Sequence, residues 1–275
     1  MNLTSIRWIG LSFSLFASLL APACLAASVS TGTFDGESRI HGRLQPGDVE
    51  DARKAFARGI DRPLLIDLAV DSNKAEVLRL GEWLNSQRPV LDINEQCFGP
   101  CAWLVLNSGR ALNIRAGSAI VFDTTDFMYL RLRERIESGD LFADAAVTAA
   151  SRERFLARWT PRYTVSQALM DAAQQRWPAN VFDFVKALPG RLDQDRLSFD
   201  DKDFNYSLSG EPGHCQYWVP DAEGLRQLGL DVPQYQPATR AAVAKLLKVR
   251  EGVIYIGPIV SPMPPQGLCP TSSTP

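Results

Sequence analysis

The sequence predicts an α/β protein, and three observations carry that prediction. Two compact apolar runs, Leu64–Val70 and Pro89–Ile93, read as buried strands bounded by turn residues. Between them, Val77, Leu80 and Leu84 recur at helical spacing from Ala75 to Ser86. Strand, helix and strand within about thirty residues imply a parallel crossover unit. The alternation then continues to about Asp123.

Ahead of that unit, Arg39–Leu44 alternates as a strand, and the Pro46-Gly47-Asp48 turn leads into a helix carrying Val49, Ala52 and Phe56. After it, Ala102–Leu106 reads as a buried helix with Pro100 in its first turn. Ala111–Arg115 and Ala119–Phe122 follow as short strands. Beyond Asp123 the texture changes. Helices are predicted over Asp126–Ser138, Leu141–Ala157, Val165–Gln175 and Val181–Leu188. Gly190–Pro220 reads as irregular or β, with strands at Phe204–Leu208 and Gln216–Val219. Helices at Ala222–Leu228 and Ala238–Val249 and a strand at Val253–Ile256 close the ordered part. Proline and serine dominate from Pro258 onward.

The first residues carry an address. One positive charge precedes the apolar run Trp8–Ala21, and small residues follow through Ser28. That order is a secretory signal peptide over residues 1–26, cleaved near Ala26, and the run is shorter than the roughly 20 residues that span a bilayer. A lipid anchor on Cys24 is the competing reading, but Ala21 stands where a lipobox has a large aliphatic residue. The expectation is a periplasmic or secreted protein with no transmembrane helix in the mature chain. With 29 basic and 31 acidic residues, the chain shows no footprint for nucleic acid.

Four cysteines remain after the signal: Cys97, Cys101, Cys215 and Cys269. An even count in an oxidising compartment favours disulfides, and four cysteines allow three pairings. Proximity favours Cys97 with Cys101, which leaves Cys215 with Cys269. A zinc site that adds His214 is the rival, but the spacings fit no usual zinc module. No metal and no cofactor is expected.

Residues Ile40–Asp123, about a third of the chain, resemble exported proteins of the Clp-protease/crotonase superfamily. The landmarks are Gly42–Asp48, the strand Leu64–Val70 with the helix Ala75–Gly81 after it, the Cys97-x-x-x-Cys101 turn, and the hairpin-like stretch Arg115–Phe122. The resemblance implies a ββα spiral core over residues 36–125 and a helical extension over 126–190 that covers the core or mediates oligomers. A small α+β appendage over 191–257 and a flexible tail over 258–275 complete the expected organisation.

A serine peptidase needs a nucleophile, a base and N–H donors for the oxyanion. By the resemblance, the nucleophile position is Gly99, the histidine position is Asp123 or Phe122, and the glycine pair of the oxyanion loop is Asp71-Ser72. Three departures together imply lost peptidase activity. What remains is a groove lined by Asp71, Ser72, Asn73, Lys74, Phe98, Gly99 and Asp123 that holds a peptide or an envelope-protein partner. Two other readings stay open: a hydrolase using Ser72, with Lys74, or an Asp71/Asp123 carboxylate pair, and an inactive subunit of an envelope protease complex. Homo-oligomerisation also stays open. His41, Ser108 and the aromatics Tyr206, Tyr217, Trp218, Tyr235 and Tyr255 read first as structural.

Overall fold

The structure is a computed structural model that describes residues 28–30, 38–142, 148–188, 195–199, 204–208, 215–260 and 269. The predicted signal peptide, Cys24, His214 and most of the Pro/Ser-rich tail lie outside the described residues.

Strands β1 (Ser28–Ser30) and β2 (Ser38–Gly42) lead into α1 (Asp48–Ala55), β3 (Leu64–Leu68), α2 (Lys74–Gln87) and β4 (Val90–Ile93). Then come β5 (Gln96–Phe98), α3 (Pro100–Leu104), β6 (Ala111–Ile114) and β7 (Ala119–Asp123). The helices α4 (Thr125–Glu137), α5 (Ala149–Gln174) and α6 (Ala179–Ala187) follow, then β8 (Asp195–Phe199) and β9 (Phe204–Leu208). The chain closes with β10 (Tyr217–Val219), α7 (Ala222–Gln227), α8 (Arg240–Leu247) and β11 (Ile254–Ile256).

The class is α/β with mixed sheets. One sheet has the order β1-β2-β3-β4-β6, with β2, β3, β4 and β6 parallel and β1 antiparallel at the edge. A second has the order β11-β10-β7-β5, where β5 and β7 are parallel and β7 meets β10 antiparallel. Strands β8 and β9 form a separate ribbon. Burial explains the apolar run of β3: Leu64, Leu65, Ile66 and Leu68 are all buried, as expected for a strand covered on both faces.

Helix α2 shows how local sequence sets an element's limits. Asn73 caps it, its side chain accepting from the Glu76 N–H at 3.2 Å. The helix ends at Arg88, which is left-handed at φ 50°, just before Pro89. Gly81 sits where α2 meets α3, and a β-carbon there would lie 2.7 Å from the Leu104 β-carbon. The glycine therefore sets the approach of the two helices.

Three expectations are corrected. The break expected between helices Leu141–Ala157 and Val165–Gln175 is absent: α5 runs unbroken from Ala149 to Gln174 with Pro161 inside it, and Leu141 lies in a short 3-10 turn ahead of it. Phe155, Trp159, Leu169, Met170 and Ala173 are buried on either side of the proline, and that burial outweighs the one lost N–H. Arg115–Phe122 is no hairpin, because β6 and β7 belong to different sheets and the Arg115–Ser118 turn carries the chain between them. The stretch expected as a small α+β appendage supplies β10 and β11 to the second sheet, with Tyr217 opposite Asp123 and Trp218 opposite Phe122.

Aromatic packing joins these parts. Trp103 stacks on Phe182 at 5.2 Å and meets Phe122 edge-on at 4.8 Å. Trp218 lies 5.0 Å from both Phe122 and Phe184 and donates its indole N–H to Gly257 O. The second half of α5 and α6 thus belong to the main core, while Leu132, Phe155 and Trp159 build a small core of their own between α4 and α5. The disulfides Cys97–Cys101 and Cys215–Cys269 form, with Cα separations of 5.1 and 5.0 Å.

Candidate functional site

The site is built at the turn from β5 into α3. Gly99 occupies that turn with φ 48° and ψ −109°, a conformation that strains any residue with a β-carbon. Sharp strand-to-helix turns of this kind present a nucleophile in hydrolases. The Cys97–Cys101 disulfide straddles it. The Gly99 N–H donates to Val121 O at 2.8 Å, and its carbonyl accepts from Trp103 N–H at 3.0 Å. The next residue is Pro100, which has no N–H to offer an oxyanion.

Parallel pairing of β5 with β7 sets Phe98 beside Val121 and so brings the end of β7 up to Gly99. A β-carbon on Gly99 would lie 2.7 Å from Asp123 Oδ2, and its three nearest neighbours would all be atoms of that carboxylate. Residues 99 and 123 therefore face each other, as a nucleophile and its base must, though neither a hydroxyl nor an imidazole is there.

Asp123 is 2 % exposed, and its Oδ1 accepts from Thr125 N–H at 3.2 Å. Burial and the nearby charge of Asp126 push its pKa up to about 6, against the pull of Lys74. Asp126, in the first turn of α4, is fully buried. Its Oδ1 accepts from Lys74 Nζ at 2.8 Å and from Ser166 Oγ at 2.7 Å, while its Oδ2 is buried without a partner. Lys74 opens α2 and lies 5.2 Å from the Tyr129 ring centroid. Burial lowers its pKa, but the carboxylates of Asp126 and Asp123 outweigh burial and raise it on balance. Tyr217, paired across from Asp123, is raised by burial and by that carboxylate.

Of the residues expected to line the groove, Lys74, Gly99 and Asp123 converge. Phe98 is half-buried, with its ring 6.1 Å from Tyr217. Asp71, Ser72 and Asn73 spend their polar groups locally. Asp71 pairs with Arg43 at the surface. The Ser72 hydroxyl accepts from Leu44 N–H at 3.1 Å, and its own N–H donates to Ala69 O. The Asn73 N–H donates to Leu44 O. Two amides of the expected oxyanion loop are thus turned inward. The acid beside Asp123 is Asp126 rather than Asp71, and Lys74 serves Asp126 rather than Ser72.

Sequence reasoning missed Asp126, Ser166, Tyr129 and the meaning of Pro100. The Asp123-Thr-Thr-Asp126 spacing across a strand-to-helix junction was a usable signal for the second acid. No sequence signal marks Ser166, which reaches Asp126 from α5. Ser108 is structural, its hydroxyl donating to Val105 O at 2.6 Å, and Trp218, Tyr235 and Tyr255 are buried in the core. A recess of about 620 Å³ lies between α2 and α5, lined by Glu82, Asn85, Arg88, Asn107, Asp171 and Arg176 among others. There Arg176 holds the carbonyls of Leu104 and Gly81, so its guanidinium is a structural brace.

Comparison with known protein families, curated proteins and solved structures finds no match to this chain.

Proposed function

We propose that this chain is an exported, non-catalytic binding or scaffold protein built on a Clp-protease/crotonase-like spiral core. Its degenerate peptidase groove, between the Asp71–Lys74 loop and the Cys97–Cys101 turn, holds a peptide or an envelope-protein partner. The observation that carries this reading is the turn at Gly99. It keeps the backbone of a nucleophile turn and its approach to residue 123, but has no side chain and is followed by an imino acid. The order of strands and helices, the two disulfides and the signal-like N-terminus add support. No helix among the described residues is long and apolar enough to cross a membrane.

The hydrolase alternative at Ser72 is disfavoured because the Lys74 amine that would serve it as a base is held by Asp126, while the hydroxyl accepts from Leu44 N–H. A fluorophosphonate probe tests the proposal. The purified protein is expected to stay unlabelled, and peptides or an envelope protein are expected to co-purify with it. Labelling at one of its own serines overturns the proposal, whereas labelling confined to a co-purified partner favours a structural subunit of a protease complex.

A further inference from the structure

We infer that the outer face of α2 binds a neutral oligosaccharide, laid across the helix between two recesses that share Glu82. Neither recess is lined by a residue of the Gly99 groove, and the inference stands or falls without it.

The first recess, of about 510 Å³, lies between the C-terminal end of α1 and α2. Phe56 and Trp83 contribute to its wall, with Arg53, Ser86 and Gln87 around them. The two rings pack 6.1 Å apart and stay 7 % and 8 % exposed. Among the described residues the Trp83 indole N–H has no hydrogen-bond partner. A donor so nearly buried is costly unless something in the recess accepts from it. The second recess, of about 620 Å³, is the one between α2 and α5. Glu82 lines both. One turn further on, Asn85 belongs to the second recess and Ser86 to the first, so the two flank one exposed ridge of the helix. A helix with its side chains is about 10 Å across. A ligand that fills both recesses therefore has the reach of a short oligosaccharide, not of a single sugar ring.

The lining of the second recess names the chemistry. It offers the carboxamides of Asn85, Asn107 and Gln175, the guanidiniums of Arg88 and Arg176, and the carboxylates of Glu82 and Asp171. Its apolar part is no more than the methyls of Ala168 and Ala172. Two positive and two negative charges cancel, so a strongly charged ligand gains no net attraction. Guanidiniums only donate, carboxylates only accept, and carboxamides do both. A hydroxyl also does both, so a polyhydroxylated ligand satisfies all three kinds of group. A peptide's apolar side chains find no apolar wall there. In the first recess the ring carbons of Phe56 and Trp83 match the C–H face of a sugar ring, while the indole N–H, Gln87 and Glu82 match its oxygens. The site is also ready for a ligand. Arg176 is anchored on the carbonyls of Leu104 and Gly81, and Arg88 on that of Asn107 at 3.3 Å. The side chains of Glu82, Asn85 and Gln175 make no hydrogen bond or ion pair among the described residues, so binding breaks none.

The test is a titration of the purified protein with maltotetraose, cellotetraose and chitotetraose, followed through the Trp83 indole N–H resonance, which Trp83→Phe assigns. At least one tetrasaccharide is expected to saturate with a Kd on the order of 1 mM or tighter and to shift that resonance. Asn85→Ala combined with Gln175→Ala alters only the second recess and removes no internal bond. It is expected to weaken that tetrasaccharide by about ten-fold, with folding checked by thermal melting. The matching monosaccharide is expected to bind more weakly than the tetrasaccharide. Acetyl-tetra-alanine amide is the peptide control and is expected not to compete. The inference is overturned if no tetrasaccharide saturates, if binding leaves the Trp83 resonance unmoved, or if the double variant binds like the parent. Competition by the alanine peptide also overturns it, because the surface then recognises amides rather than hydroxyls.

Discussion

Asp123 is the residue on which most of the chemistry turns. Its folded-state pKa of about 6 exceeds the ordinary value of 3.8 because burial and Asp126 both disfavour its charge. Between those two values the folded protein binds more protons than the unfolded chain, so this residue makes stability fall as pH rises from about 4 to about 6. Above that window the cost is fully present. Asp123→Asn is therefore expected to be more stable than the parent at pH 7, by about 3 kcal/mol, and to lose most of that advantage at pH 4. Thermal unfolding across pH checks this. An Asn variant that is less stable at pH 7 would mean that the carboxylate is stabilised as an anion. The absence of a hydroxyl at Gly99 was legible in the sequence, because residue identity alone shows it. The inward-facing Asn73 amide and the Ser72 hydroxyl's bond to Leu44 N–H were not legible, because both depend on the close approach of Leu44.

Among the elements, α2 and α5 teach opposite lessons. The limits of α2 were readable from Asn73 and Pro89, since caps and breakers act within a few residues. Its glycine was not readable. In an isolated helix Gly81→Ala stabilises by about 1 kcal/mol. Here the added methyl would meet the Leu104 β-carbon at 2.7 Å, and overpacking costs about 1–3 kcal/mol. The clash is the larger effect, so Gly81→Ala is expected to lower the urea midpoint of unfolding, and a raised midpoint would contradict the packing described. Helix α5 was misread as two because Pro161 outweighs its neighbours in any local reading. The core on both sides of the proline holds the helix together, and that core comes from distant parts of the chain.

Across the whole molecule, the C-terminal strands are part of the second sheet, and Cys215–Cys269 fastens residue 269 next to them. Loop length separates the two disulfides. Cys215 and Cys269 are 54 residues apart, whereas Cys97 and Cys101 are 4 apart. Chain entropy alone makes the longer loop worth about 4 kcal/mol and the shorter about 2. Replacing Cys215 and Cys269 together with serine is expected to lower the melting temperature more than replacing Cys97 and Cys101. Equal losses would show that the short bridge acts on the folded turn at Gly99 rather than on the unfolded chain.

Sequence by itself determined the α/β alternation, the positions of the cysteines and the absence of a hydroxyl at residue 99. These follow from local periodicity and residue identity, which need no partner. Only the tertiary structure decided that Asp123 faces Gly99, that Asp126 and Lys74 crowd the same site, and that the C-terminal strands complete a sheet. Each of those joins segments far apart in sequence, and their meeting is set by strand register and core packing rather than by any short stretch of residues.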